Sequence, residues 1–198
     1  LRPFSSLTRA ETAVILINAV DSVNPSANQC GMQPPSGNMP GGFGGSDTVT
    51  QGTSATTITE GGTYSSTSYS STGDDENALR VDGATVTFDS VTVDKSAGSS
   101  SNKEDGDFYG QNAALLATNG ANVTIKNATV NSSAQNGNGI FSYGTGTTVN
   151  VSDSTITTTA DNSGGIQTTG GGTTNAANLT VNTSGNSAAA IRSDRGGG

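Results

Sequence analysis

NGNGIFSYGTGTTVNVSDSTITTTADNSGGIQTTG, residues 136–170, carries one pattern twice. Ile140 is followed by Gly144, by the alternating pair Val149 and Val151, and by Ile156. Ile166 then reopens the pattern, followed by Gly170, Ala176, Leu179 and Val181. Upstream the same cassette reads Leu79, Gly83, Val86, Phe88, Val91, Val93, and again Leu116, Gly120, Val123, Ile125, Val130. The lead residues Leu79, Leu116, Ile140, Ile166 and Ile191 stand 37, 24, 26 and 25 positions apart. A unit of this length, made of short alternating runs broken by Gly, Asn and Asp, predicts a solenoid. Each cassette holds three period-two runs, so each coil should supply three short strands that pair in parallel with their copies. A single coil buries too few aliphatic side chains to offset the entropy of ordering it, so stacking must supply the rest.

Two further columns set the expected register. Asn112, Asn136, Asn162 and Asn186 precede the first strand of successive coils, where Asn tolerates left-handed backbone and its amide can bond its own copies. Thr92, Thr129, Thr155 and Thr180 each stand one residue before an inward aliphatic, an outward threonine ladder. Over residues 55–198 the pattern resembles the right-handed parallel β-helix superfamily, with its pectate-lyase-like polysaccharide lyases, carbohydrate-binding relatives and bacterial surface adhesins. The predicted class is therefore all-β: a right-handed single-stranded parallel β-helix of about 25 residues per coil, with a short N-terminal α-helix and a Gly/Pro-rich linker.

Composition narrows the partners. Apolar residues make up 30%, which a thin solenoid core tolerates, and the net charge of -8 disfavours nucleic acid and anionic membrane. Cys30 is a single cysteine and His is absent, which removes an internal disulfide and Cys/His zinc sites. No membrane-spanning run and no signal peptide are visible. The chain starts within a motif and closes on Gly-Gly-Gly within a coil, so it is expected to be a fragment.

Three segments are expected: 1–23, 24–52 and 53–198. In the first, Thr8 and Glu11 have capping-box spacing before the apolar run Ala13–Val20, which predicts a helix over about 9–21. Such a helix could cap the first coil. Alternatively, Leu1-Arg2-Pro3 with Thr8-Arg9-Ala10-Glu11 resembles the closing half of an S-layer homology (SLH) repeat, with Leu1 where that family has an aromatic. The resemblance implies that Arg2 and Arg9 contact an acidic secondary cell-wall polysaccharide, and that the protein is tethered at the cell surface. Residues 24–52 hold four of the five prolines and a GGFGG stretch, a linker. Residues 53–73 should form an imperfect first coil around Ile58, Tyr64 and Tyr69.

Between Lys95 and Gln111 the repeat carries an insertion, SAGSSSNKEDGDFYG. It brings Glu104, Asp105 and Asp107 to the corner that carries Asp74, Asp75 and Glu76 one coil earlier. Clustered carboxylates on turns suit Ca²⁺; the alternative is a solvated acidic loop.

Alternation sorts the outward residues. The second and third strands present small polar side chains, whereas the first presents Arg80 with Asp82, Ala117 with Asn119, Phe141 with Tyr143, Gln167 with Thr169, and Arg192 with Asp194. Outward aromatics need a cover or a ligand. Phe141 and Tyr143 could stack on a sugar, with Arg80, Asp82, Gln167, Arg192 and Asp194 bonding its hydroxyls or carboxylates. The plainer alternative is that the acidic insertion covers them. Catalysis is not expected: galacturonan hydrolysis in this fold needs paired aspartates and a histidine, and Arg80 and Arg192, like Asp82 and Asp194, stand several coils apart. Ice binding would need a flat two-column threonine lattice, and only one column is complete. The sequons at Asn122, Asn127, Asn131, Asn150, Asn178 and Asn182 read as by-products of Asn/Thr-rich strands. The expected function is an extracellular, cell-surface or wall-associated β-helix that binds polysaccharide or acts as an adhesin. The alternative is a ligand-free stalk.

Overall fold

The computed structural model describes residues 48–198. The predicted helix over 9–21, the SLH-like residues Arg2 and Arg9, and the linker up to residue 47 lie outside the described residues. The rest is an all-parallel β-solenoid with three sheets, one strand of each contributed per coil.

Sheet A takes the first strand of every coil: β1 (Thr53–Ile58), β4 (Glu76–Asp82), β7 (Leu115–Thr118), β10 (Ile140–Tyr143), β13 (Ile166–Thr169) and β16 (Ile191–Ser193). Sheet B takes β2 (Gly62–Ser65), β5 (Thr85–Asp89), β8 (Asn122–Lys126), β11 (Thr148–Ser152) and β14 (Thr173–Ala177). Sheet C takes β3 (Ser68–Ser71), β6 (Thr92–Lys95), β9 (Thr129–Ser132), β12 (Thr155–Thr158) and β15 (Thr180–Thr183). The imperfect first coil is present, with Ile58 and Tyr69 buried and Tyr64 packed against the core.

The core is a set of stacked columns. Val86, Val123 and Val149 lie in register in sheet B, as do Phe88, Ile125 and Val151. Val93, Val130 and Ile156 do the same in sheet C. Tyr64 and Tyr69 pack on the Phe88 ring at 5.7 and 6.0 Å between centroids and close the first coil. Outside sheet C the threonine ladder Thr92, Thr129, Thr155, Thr180 is continuous.

The register departs from the sequence reading in one coil. Leu79, Ile140, Ile166 and Ile191 stack as expected, but Leu115, not Leu116, fills their column. The insertion ends one residue earlier than the repeat pattern suggested. Since side chains alternate, that single step turns Leu116 outward with Thr118 and turns Ala117 inward. Ala117 and Asn119 are thus not the outward pair. A similar slip affects the corner column: Asn112, Asn136 and Asn162 have φ of 69, 55 and 56°, and Ser187, not Asn186, takes the next left-handed place. On β16 Ile191 is 62% exposed, since no further coil lies on it among the described residues.

One inward column is polar: Ser71, Lys95, Ser132, Thr158 and Thr183. Its hydroxyls bind nearby backbone, as Thr158 does with the Ser163 carbonyl and Thr183 with Ala188. Lys95, wholly buried, extends to the Gly73 carbonyl and donates to Ser71 Oγ at 3.3 Å. Its long stem occupies the corner from which the insertion departs. Burial pushes its ammonium below the ordinary lysine range, partly opposed by Glu76, Asp74 and Asp75.

The unfolded chain therefore keeps this proton to higher pH than the folded one, so stability rises with pH between the lowered value and the ordinary one. Tyr69 and Tyr143, raised by burial, slope the other way above the tyrosine range, but they are common to wild type and a Lys95→Met variant. Urea unfolding at about pH 8 to 10 should show wild type gaining on Lys95→Met by at most about 1.4 kcal/mol per pH unit. Parallel curves for the two proteins would mean that Lys95 stays solvated.

Candidate functional site

The insertion contains a helix, where the sequence suggested only a loop. Helix α1 (Lys103–Tyr109) starts at Asn102, whose side chain accepts from the Glu104 N–H, and puts Glu104 and Asp105 in its positive first turn. It stops at Gly110, with φ 81°. A Cβ there would come within 2.6 Å of Leu116 Cδ1 and 3.0 Å of the Phe141 ring, so the position needs glycine twice over.

Helix α1 lies over the outer face of sheet A and is fastened by side-chain bonds to its backbone. Asn77 Nδ2 donates to the Gly110 carbonyl at 2.8 Å and Asn138 Nδ2 to Gly106 at 3.3 Å. Thr169 Oγ1 donates to the Phe108 carbonyl at 2.6 Å and Gln51 Nε2 to Tyr109 at 2.9 Å. Beneath it Ala113, Leu116 and Phe141 form a second small core, with Tyr143 packed on its edge.

This arrangement redistributes the predicted carbohydrate-binding residues. The outward column of sheet A reads Arg80, Leu116, Phe141, Gln167, Arg192. Phe141 is fully buried and Gln167 is 1% exposed, so neither is an open contact surface. Arg80 is spoken for: its guanidinium donates to the carbonyls of Gln51 at 2.6 Å, Gly52 at 2.9 Å and Thr53 at 3.1 Å, and to Asn77 Oδ1 at 2.7 Å. It clamps the chain entering β1. Asp82 accepts from Asn119 Nδ2 at 2.7 Å. Arg80 in β4 and Arg192 in β16 are four strand spacings apart, ~19 Å, and Asp82 and Asp194 lie at the same separation along the stack.

The rest of the predicted set gathers at one place. Tyr143 and Arg192 meet the far end of α1, and Asp194 is held beside Arg192; the sequence reading had missed Phe108, Tyr109 and Arg195 there. The Tyr109 and Tyr143 rings meet edge to face at 5.6 Å. Arg195 stacks on the Phe108 ring at 3.7 Å, and Arg192 lies 5.1 Å from the same centroid. Arg195 also pairs with Glu104 and donates to the Tyr109 hydroxyl at 3.2 Å. Arg192 pairs with Asp194 at 3.3 Å, and the Arg195 backbone N–H, ahead of Arg192, holds the Asp194 carboxyl below its usual range. Burial raises the Tyr143 phenol, with a smaller contribution from Tyr109.

Arg195 is unusual in its backbone as well. Its φ of 46° places it in the left-handed region, where the other non-glycine members among the described residues are Ser, Asp and Asn. For a long side chain this costs about 1–3 kcal/mol and persists where surrounding contacts fix it.

The predicted calcium ligands are not assembled into a site. Asp74 accepts from the Ser99 N–H and Asp75 from Ser101 N–H, at 2.8 and 2.6 Å. Asp107 pairs with Lys103 at 2.6 Å and accepts from Asn136 at 2.8 Å, and Glu104 is held by Arg195. Burial pushes the Asp105 carboxyl up. Asp74 and Asp75 fasten the insertion to the preceding coil, Asp107 and Glu104 bond onward to Asn136 and Arg195, and among the described residues no group of three or more metal-binding side chains forms.

In comparisons with models of protein families, with curated proteins and with solved structures, nothing matches. The chain's chemistry must be read from its own geometry.

Because Phe141 fills a closed space, Phe141→Ala should lower the unfolding free energy by about 3–5 kcal/mol, measured by denaturant titration. A loss below about 0.5 kcal/mol, as at an ordinary surface position, would place the ring outside the packed layer.

Proposed function

We propose that the protein is a cell-surface β-helix module that binds carbohydrate, and that the contact is made by Phe108, Tyr109, Tyr143, Arg192 and Arg195. The observation that carries this reading is the convergence of three half-exposed aromatic rings and two arginines on one edge of α1. Rings offer apolar faces to the C–H surface of a sugar, and guanidinium groups offer paired donors to its oxygens. The polar outer faces of sheets B and C offer no comparable concentration. The resemblance to pectate-lyase-like and adhesin β-helices supports a polysaccharide or cell-surface glycan as partner, by analogy of fold alone. On the same footing, the SLH-like segment with Arg2 and Arg9 supports wall tethering and an extracellular location. We assign no catalytic role and no cofactor.

A ligand-free stalk is the second reading, and the sealing of Phe141 and Gln167 beneath α1 favours it. The two diverge in a glycan-array screen. Tyr109→Ala and Arg192→Ala should each weaken array binding by about tenfold or more, the loss of a stacked or charge-assisted contact. The thermal midpoint should barely move. Absence of binding by the wild-type chain across neutral and charged glycans would favour the stalk.

A further inference from the structure

The Arg195 guanidinium covers the Phe108 face that a sugar would use, and it is held there by Glu104, a carboxylate of the same chain. We infer that this contact is a self-occupied form of the site: Glu104 stands where an anionic group of the ligand would sit, and Arg195 selects saccharides bearing a carboxylate or sulfate. The inference rests on the carbohydrate-binding reading and adds the ligand's charge to it.

Two features point the same way. First, the pair is easily exchanged. Glu104 and Arg195 side chains are 55% and 38% exposed, and exposed ion pairs are weakly held. Second, hydrogen-bond donors are in excess of acceptors here. Arg192 and Arg195 flank Phe108. An acceptor-rich anionic ligand would suit both guanidinium groups, whereas a neutral sugar would leave them to their present partners. Arg195 keeps a left-handed backbone to reach this position, as residues with fixed roles do.

The test is affinity-gel retardation of the full chain at low ionic strength. Two polymer pairs serve as probes: polygalacturonate with its carboxyl-reduced neutral form, and dextran sulfate with unmodified dextran. Comparing the two anionic members separates carboxylate from sulfate recognition. Wild type should be retained more by the anionic member of at least one pair. Glu104→Gln, which frees Arg195, should raise that retention about 2- to 5-fold. Glu60→Gln, which makes the same charge change at a distant exposed site, should leave it unaltered. Arg195→Gln should remove the preference, bringing retention by the charged member down to that by the neutral one. Equal retention within both pairs, or equal gains in Glu104→Gln and Glu60→Gln, overturns the inference and leaves carbohydrate binding standing. Retention by none of the four polymers overturns both.

Discussion

Every described part of this molecule depends on backbone hydrogen bonds passed from one coil to the next. Leu79 N–H bonds the Ala114 carbonyl, Leu115 that of Gly139, Ile140 that of Gly165 and Ile166 that of Ala190, each at 2.9 Å. The bonds fix the distance at which side chains stack, so one or two inward apolar residues per strand are enough to fill a continuous interior. They also impose a fixed corner geometry. Left-handed positions recur at Ser90, Asn127, Asp153 and Asn178, with φ of 51–57°, where short polar side chains lose least. Asn127 and Asn178 then bond the carboxylates of Asp89 and Asp153 in the coil before, at 2.9 and 3.1 Å. A sequence poor in apolar residues can hold one fold because each coil templates the next.

The proposed contact lies where that regularity is interrupted. A repeat of short polar residues builds faces that are alike from coil to coil, and such faces have little to distinguish one partner from another. The insertion after β6 adds the only helix among the described residues, and with it the single place where aromatic rings and arginines concentrate. The helix sits on sheet A because that face carries Leu116 and Phe141, which need cover. Its far end meets the last described coil because Phe108 and Tyr109 reach Arg192 and Arg195 across the sheet. The same side chains that close the face therefore create the edge proposed as a binding site.

Much of the fold was legible because period-two alternation and repeated Gly and Asn are direct consequences of the geometry. The threonine ladder, three strands per coil and an imperfect first coil all follow from spacing. The slip at Leu115 and Leu116 was not legible: both are leucines, and the insertion just before them hides where the coil resumes. The helix left signals that a capping analysis could have caught, Asn102 ahead of Glu104 and Asp105 and Gly110 behind Tyr109. Arg192 and Asp194 were recognisable as outward residues of the first strand. Arg195 was not, because it lies in a corner and reaches the aromatic rings only through a left-handed backbone. Arg80 was misread as free since nothing local announces a clamp onto Gln51, Gly52 and Thr53.

The central claim is that the insertion is a folded cover packed on sheet A. Amide hydrogen exchange over residues 103–116 tests it directly. Slow exchange of the Gly106 and Gln111 amides, which bond the Asn102 and Asp105 carbonyls, on the timescale of the neighbouring strands is the expected result. Exchange at free-loop rates there, with the Ile140 and Ile166 amides still protected, would show sheet A open and contradict the account.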